Sequence, residues 1–279
     1  MTSCQRVTAL RAGRVKHAGL AGLAGLVAVA LLATGTVDAQ AAVSGVTAAA
    51  HGKPAHGKPV RGLDISSYQH AGKAPAIDWQ RLARDGIRFV AIKASEGDYY
   101  RNPYYASDVR NASNAGMAVL PYVFANPSKT GGKATAAYAL KVVGSGHGRG
   151  PIVVDLENDP YAKHAVCYGR RGKRIVEWIA GFVSKIHQTT GRFPVIYTTA
   201  SWWRACTGGS RHFGKDPLWL AAYGGGGPAL PSSWHQWAFR QYADNGKLAG
   251  IGQVDLDYYQ PTDGLPALDP KKKAKPKKK

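Results

Sequence analysis

The chain has 279 residues, and its 37 lysines and arginines outweigh 17 aspartates and glutamates to give a net charge of +20. Its length is sufficient for one large domain with a substantial core. Seven of the lysines lie in the C-terminal segment KKKAKPKKK, so this part of the net charge is a local feature of that segment.

The first 41 residues are predicted to be a secretory signal peptide. Basic residues precede an apolar run over residues 18–33, and Ala39-Gln40-Ala41 supplies the small residues of a cleavage site. A membrane-spanning helix is the alternative, although the run is rich in Gly and Ala and is about as short as such a helix can be. We therefore expect an exported protein. Residues 42–60, with the repeated unit of HGKPAHGKPV, are predicted to be a flexible linker.

The first part of the region 61–265 alternates β-rich runs with helical patterns. VRGLDIS, IRFVAIKAS, MAVLPYVF and PIVVDLE are each followed by a predicted helix, which indicates parallel β-α units. Asp78 is the predicted N-cap of the first helix, which ends at Gly86. The clearest helix runs from Arg174 to Thr190, where apolar residues at steps of three and four predict that Trp178 and Phe182 pack into the core.

The second part of this region has strand patterns without a comparable long helix between them. These runs are FPVIYTT, LWLAAYG, FRQYA and QVDLDYY. The sequence therefore predicts an α/β fold, an irregular (β/α) barrel of about eight strands with fewer helices than strands.

Residues 266–279 are rich in lysine and are predicted to be a disordered tail, either simply solvated or attracted to an anionic wall or membrane surface. Nucleic acid is not an expected partner, and we expect a monomer.

The cysteines predict one disulfide. Cys4 would leave with the signal peptide, and an exported chain with only Cys167 and Cys206 remaining is expected to pair them. Two free buried thiols are the alternative. No CxxC or HxxxH spacing accompanies the cysteines, so a metal site is not expected.

Candidate functional residues are expected at the carboxyl ends of the barrel strands. Acids and aromatic residues dominate these positions, and there is no phosphate-binding GxxxxGK and no GxSxG elbow, so no cofactor is expected. Acids that protonate a glycosidic oxygen and rings that cover the apolar faces of sugars suit a carbohydrate substrate. In chain order the candidates are Asp64, Glu96, Tyr122, Phe124, Asp155, Glu157, Tyr197, Tyr223, Gln241 and Asp255.

The segment PIVVDLENDP carries the candidate catalytic pair, Asp155 and Glu157, at positions that share one face of an extended chain. Repulsion of about 3 kcal/mol at roughly 6 Å would separate their pKa values by about two units. Glu157 has the longer reach and is predicted to be the general acid, with Asp155 ionised. Asp155 would orient a substrate N-acetyl group or position water. In the alternative interpretation, the pair only caps the turn at Asn158 and Asp159.

The region from Arg61 to Tyr259 resembles glycoside hydrolase family 25, the lysozymes often called Chalaropsis-type, including actinobacterial members. Four segments carry the resemblance. The opening strand of the family is similar to RGLDISSYQ, and its next stretch is similar to IDWQRLARDGIRFVAIKASEGDYYRNPYYASDVRNASNAGMAVLPYVF. Its catalytic strand is similar to VVDLEND, and its closing segment is similar to FRQYADNGKLAGIGQVDLDYY. The order and spacing of these motifs carry the resemblance.

The resemblance implies a secreted, possibly cell-wall-associated enzyme that hydrolyses the β-1,4 bond between N-acetylmuramic acid and N-acetylglucosamine in peptidoglycan. By position, Glu157 matches the catalytic acid, Asp155 the carboxylate before it, and Asp64 and Asp255 the acids of the first and closing strands. Glu96, Tyr122, Phe124, Tyr197 and Gln241 are expected to bind substrate or to support residues that do. Cys167 and Cys206 match a disulfide of some actinobacterial members.

One departure from the family concerns its third strand, which commonly ends in Tyr-His-Phe. Here the sequence is Tyr122-Val123-Phe124, and strand alternation places Val123 on the face opposite Tyr122. Any role of that histidine is therefore lost.

Two other functions remain open from the sequence, a wall-binding protein without turnover and a chitinase-like hydrolase, although the aspartates of a full DxxDxDxE pattern are absent from GPIVVDLE.

Overall fold

Eight β-strands close into a barrel, and a ninth, very short strand pairs at its edge. The computed structural model describes residues 59–71, 76–144, 150–162 and 166–262, together with Leu265 and Leu268. The strands are β1 (Val60–Ile65), β2 (Phe89–Glu96), β3 (Tyr100–Arg101), β4 (Ala118–Phe124), β5 (Val153–Asp155), β6 (Val195–Thr198), β7 (Leu218–Ala221), β8 (Phe239–Leu248) and β9 (Gly252–Tyr259).

The described residues form five α-helices around the barrel, fewer than the strands, as predicted. They are α1 (Trp79–Arg84), α2 (Tyr105–Asn114), α3 (Gly132–Val143), α4 (Lys173–Thr190) and α5 (Ala200–Thr207). The predicted capping of α1 is confirmed, because the Asp78 side chain accepts a hydrogen bond of 2.9 Å from the Arg81 amide. Gly86 follows that helix at φ +92°, a value that a side chain would strain. The sequence analysis missed α5.

The order of the strands around the barrel is β1, β2, β4, β5, β6, β7, β8, β9 and back to β1. Every neighbouring pair from β1 to β8 is parallel, which confirms the predicted β-α units. The closing strand differs, since β9 runs antiparallel to both β8 and β1. The parallel strands therefore place their carboxyl ends at one mouth of the barrel, where functional residues are expected.

Alternating side chains divide the core into an interior and a helix-facing layer. Inside the barrel, aromatic residues such as Phe89, Trp219 and Phe239 pack together. A Cβ on Gly62 would lie 2.3 Å from the Phe89 ring, so only glycine fits beside it. Outside, Trp178 and Phe182 of α4 are buried against the strands, as predicted, and removing such rings from water is the main favourable contribution to folding.

The disulfide between Cys167 and Cys206 is present and joins the segment before α4 to the end of α5. The first strand begins at Val60, one residue before the predicted start of the barrel. The predicted signal peptide, nearly all of the linker, and the lysines of the tail lie outside the described residues. Among the residues that are described, no helix is both long and apolar enough to cross a membrane.

Candidate active site

A pocket of about 480 Å³ opens at the carboxyl ends of the parallel strands. The structure brings together in its lining all nine residues predicted to act on or bind substrate, together with Tyr223 from the strand-end candidates. They are Asp64, Glu96, Tyr122, Phe124, Asp155, Glu157, Tyr197, Tyr223, Gln241 and Asp255.

Strand β5 positions Asp155 and Glu157 side by side in the pocket. Val154 and Leu156 turn outward into the helix-facing core, so the residues between and after them turn inward. The amide of Leu156 donates to the Tyr197 carbonyl at 2.9 Å, which carries the extended backbone past the end of the strand. The following turn is bound by another acid, because Asp159 Oδ1 accepts from the Tyr161 amide at 2.8 Å. The capping interpretation of the pair therefore lacks support.

Burial raises the pKa of both acids on β5. The pKa of Glu157 rises to about 7, first through burial and then through repulsion from Asp64, while the Lys93 ammonium opposes the rise. Asp155 is 9% exposed and its Oδ1 has no hydrogen-bond donor among the described residues. Burial, and after it the neighbouring Glu157, raise the Asp155 pKa well above its ordinary value. The expectation that Asp155 alone stays ionised therefore conflicts with its surroundings, which also favour its protonated form.

Gln241 connects the acids of the first and closing strands. Its Nε2 donates to Asp64 Oδ2 at 2.8 Å and, more weakly, to Asp255 Oδ2 at 3.4 Å. Its Oε1 accepts from the hydroxyls of Tyr197 at 2.9 Å and Tyr223 at 2.8 Å, which fixes the orientation of the amide. One side chain thus holds two acids and two aromatic rings of the pocket in place.

A third acid, Asp257, lies deeper in the barrel below Asp64. Trp219 Nε1 donates to its Oδ1 at 2.9 Å, while its buried Oδ2 has no donor within the part of the chain that the structure describes. Burial and the nearby Asp64 raise the Asp257 pKa well above its ordinary value. A protonated Asp257 would donate to Asp64, whose pKa burial raises to about 6 against the lowering effect of Gln241 and Asp257. Burial, then Asp64, raise the pKa of Asp255 to about 8.

Glu96 accepts three hydrogen bonds at the opposite wall of the pocket. Lys93 Nζ donates to Oε2 at 2.9 Å, and the hydroxyls of Tyr99 and Tyr161 donate to Oε1 at 2.6 and 2.5 Å. Burial works to raise the pKa of Glu96, but Lys93 and the two tyrosines outweigh it, so the pKa is lowered. Glu96 is consequently held in its charged form, and it neutralises Lys93.

Several pocket residues were missed by the sequence analysis. Lys93 had a usable signal, because it is a charged residue on the inward face of an apolar strand. Asp257, which lies below the pocket and does not line it, had the same kind of signal. Tyr68 and Tyr161 also line the pocket, but they follow β1 and β5 in segments without periodicity, so no signal indicated them. Val123 points away from the pocket into the helix-facing core, as strand alternation predicted.

A closed β/α barrel with paired acids and aromatic side chains at the carboxyl ends of its strands defines a carbohydrate-processing barrel enzyme. Comparison with known proteins then gives the family. Residues 63–251 match the family model of glycosyl hydrolases family 25. The chain belongs to this family and is a glycoside hydrolase of the lysozyme type.

Curated relatives and solved structures agree with this assignment. Lysozyme M1 of Streptomyces globisporus is 35% identical over 212 residues, covering 74% of this chain and 69% of the relative. The N,O-diacetylmuramidase of a Chalaropsis species is 37% identical over 191 residues, covering 66% and 87%. The crystal structure of a bacterial lysozyme from Streptomyces coelicolor, 35% identical, superposes with a TM-score of 0.68 over 74% of this chain and 94% of its own.

Proposed function

We propose that this chain is a secreted N-acetylmuramidase that hydrolyses the β-1,4 bond between N-acetylmuramic acid and N-acetylglucosamine in peptidoglycan. The observation that carries the proposal is the position of Asp155 and Glu157, which line one pocket at the carboxyl end of β5, Asp155 buried and Glu157 half-buried. Family membership and the similarity to a curated muramidase support the choice of substrate.

Glu157 is the proposed general acid and base. Its pKa of about 7 leaves it largely protonated in mildly acidic medium, so it has a proton to give to the glycosidic oxygen as the bond to the anomeric carbon breaks. The Glu157 carboxylate left behind would then take a proton from the water that completes hydrolysis. The same residue therefore serves both steps.

Asp155 is the proposed partner of the substrate N-acetyl group. The N-acetyl carbonyl oxygen would attack the anomeric carbon, and positive charge would develop on the acetamido group. That charge would favour the ionised form of Asp155, which would accept the acetamido N–H on an oxygen that has no donor now. The raised Asp155 pKa then indicates an acid whose charge is stabilised by the transition state rather than by the protein.

The decisive experiment replaces Glu157 by Gln. The Glu157→Gln chain should release no reducing ends from purified peptidoglycan, while its thermal unfolding stays close to that of the parent, because the change removes a proton donor without changing the volume. Asp159→Asn is a matched control, since Asp159 binds the following turn and does not line the pocket. Parent-like activity of Glu157→Gln would refute the assignment.

The substrate and the stereochemical outcome are tested with the parent protein. Mass spectrometry of products from defined peptidoglycan should show N-acetylmuramic acid at the new reducing end. Preferential cleavage of chitin oligomers would favour a chitinase-like hydrolase, and binding of peptidoglycan without release would favour a wall-binding protein. Attack by the N-acetyl oxygen predicts retention, so NMR should detect the β anomer as the first product.

The remaining proposals concern location. The N-terminal segment is proposed to direct export, in agreement with the Cys167–Cys206 disulfide, since such bonds persist in oxidising compartments. The Lys-rich tail is proposed to hold the enzyme on anionic wall or membrane surfaces.

A further inference from the structure

Exposed aromatic side chains are concentrated at the mouth of the pocket. Among the described residues, the large apolar side chains that stay exposed are Tyr68, Tyr99, Tyr104, Tyr161, Val166 and Tyr223. Three of them line the pocket, with 78% of Tyr68, 61% of Tyr161 and 53% of Tyr223 exposed. Large aromatic rings that stay exposed around one opening indicate a ligand-binding surface, because they are not buried in the core of the protein.

The ring of Tyr161 is held in place although it is exposed. Its hydroxyl donates to Glu96 at 2.5 Å, and Lys129 Nζ lies 5.3 Å from its centroid. Tyr68 lines the same pocket as Tyr161. Two exposed rings therefore border the same opening, one following β1 and the other following β5.

The short turn that carries Tyr68 is anchored on both sides. This turn, Ser67–His70, is a 3-10 helix whose N-cap Ser66 exchanges hydrogen bonds with Gln69 and its neighbours. Tyr100 donates to the Ser67 hydroxyl at 3.1 Å. These hydrogen bonds fix the backbone that carries Tyr68, although the Tyr68 ring itself is mostly exposed.

The strongest anchor is an interaction between His70 and Asp108 of α2. His70 Nε2 lies 2.9 Å from Asp108 Oδ2, and the Asp108 side chain is almost completely buried. The imidazole also stacks on the Tyr104 ring with centroids 4.0 Å apart. None of these three residues lines the pocket, and His70 is connected to it through the turn that carries Tyr68.

We propose that Tyr68 and Tyr161 form an additional sugar-binding subsite at the mouth of the pocket, and that the His70–Asp108 pair positions Tyr68 for it. The ligand is the apolar face of a pyranose ring in the same glycan, beyond the sugars that flank the scissile bond. This inference rests on the proposed function, since it extends the binding of that substrate.

The depth of the residues places this subsite away from the cleaved bond. Asp155 is buried and Glu157 is half-buried in the barrel mouth, whereas the rings of Tyr68 and Tyr161 are mostly in solvent. A polymeric glycan bound at the acids would extend over the part of the pocket mouth that Tyr68 and Tyr161 border. Rings fixed before binding lose little conformational freedom when a sugar stacks on them, so they contribute affinity without taking part in the chemistry.

The test compares two substrate lengths, a tetrasaccharide and an octasaccharide of alternating N-acetylglucosamine and N-acetylmuramic acid. Tyr68→Ala should raise KM for the octasaccharide about three- to tenfold, the range expected for one lost stacking contact, with kcat unchanged. KM for the tetrasaccharide should stay near the parent value. Tyr68→Phe should keep the parent KM for both lengths, because the ring rather than the hydroxyl makes the contact.

The His70–Asp108 pair is tested by His70→Ala, which should raise octasaccharide KM in the same direction with kcat unchanged. Tyr242→Ala is the matched control, since Tyr242 stacks on Tyr258 at 4.1 Å outside the pocket and should leave both values unchanged. An unchanged octasaccharide KM in Tyr68→Ala, or an equal rise for both lengths, would overturn the subsite alone. If the parent protein cleaved neither oligomer, the proposed function would fail and the subsite with it.

Discussion

Lys93 and Glu96 form an ion pair of 2.9 Å from within one strand, and both face the pocket because the pairing of β2 with β4 shifts between Lys93 and Ser95. In a regular strand, residues three positions apart point to opposite faces. The bulge at Ala94 therefore brings a cation and its counter-ion onto the same wall. Lys93 lies close enough to the acids on β5 to oppose the rise in their pKa values.

Removal of the Lys93 charge should move the pH dependence of activity. Lys93→Met keeps most of the volume but no longer stabilises the ionised Glu157, so the pKa of Glu157 should rise by about one unit. The alkaline limb of kcat/KM against pH should shift upward by the same amount. Lys129→Met is the control, because that ammonium packs on Tyr99 and Tyr161 and does not line the pocket. A Lys93→Met profile that superposes on the parent profile would contradict this prediction.

The parent protein should itself lose activity as the pH rises through about 7. The proposed general acid, Glu157, must carry its proton, and burial raises its pKa to about 7, so the form expected to be active is present below this pH and disappears above it. Initial rates of reducing-end release, measured from pH 4 to pH 10 in a buffer of constant ionic strength, should give this limb. A rate that stays constant up to pH 9 would exclude Glu157 as the group that supplies the proton.

The strand-end residues were predictable because strongly apolar strands define their own register. In β4, β5 and β6 the inward positions alternate with outward positions that are buried against helices, and a shift by one residue would expose the core. Parallel strands then gather their carboxyl ends at one mouth. Asp155 and Glu157 could thus be placed together from sequence.

Other features depend on tertiary context or on signals that were not used. The direction of β9 had such a signal, since only a short connection separates Leu248 from Gly252 and a parallel crossover needs about a dozen residues or more. Helix α5 also had one, in the Thr199 cap before it and Gly208 after it. The bulge in β2 had none, because it is defined by pairing with β4, so the contact between Lys93 and Glu96 could not be predicted.

Asp216 should make the fold less stable as the pH rises. It is buried, its Oδ1 has no donor among the described residues, and burial raises its pKa from 3.8 to about 7. The folded state therefore binds the proton more tightly than the unfolded state, so the contribution of Asp216 is greatest below pH 4 and is lost between pH 4 and pH 7. Asp216→Asn should match the parent melting temperature at pH 4 and exceed it at pH 8.

The comparison is best made by thermal unfolding at both pH values, with Asp85→Asn as a control. Asp85 is half-exposed and pairs with Arg81 on the surface, so its substitution should change the melting temperature little at either pH. An Asp216→Asn chain that is equally destabilised at pH 4 and pH 8 would show that the carboxyl makes contacts which the amide cannot replace.

The disulfide should contribute substantially to stability. It closes a separation of 39 residues, for which loop entropy gives about 4 kcal/mol in the free energy of unfolding. The double variant Cys167→Ala, Cys206→Ala should therefore unfold at lower urea concentration, with a steeper slope because its unfolded chain is less compact. The single variants should lose as much, since either change breaks the bond. A loss below about 1 kcal/mol would mean that the unfolded chain is already restrained without the bond.

The lysine tail should control retention on anionic surfaces without affecting the chemistry. KKKAKPKKK carries seven positive charges in nine residues, and each contact with a wall phosphate or a lipid headgroup would release a counter-ion. A chain truncated after Asp269 should keep the parent kcat on soluble glycan oligomers, but it should bind wall sacculi more weakly at low salt and with a shallower dependence on salt. Sedimentation with sacculi across a salt series measures both the affinity and the slope.

A full-length chain with Gln in place of all seven lysines separates charge from length, and it should behave as the truncated chain does. Equal binding of the truncated and parent chains across the series would assign retention to the barrel instead.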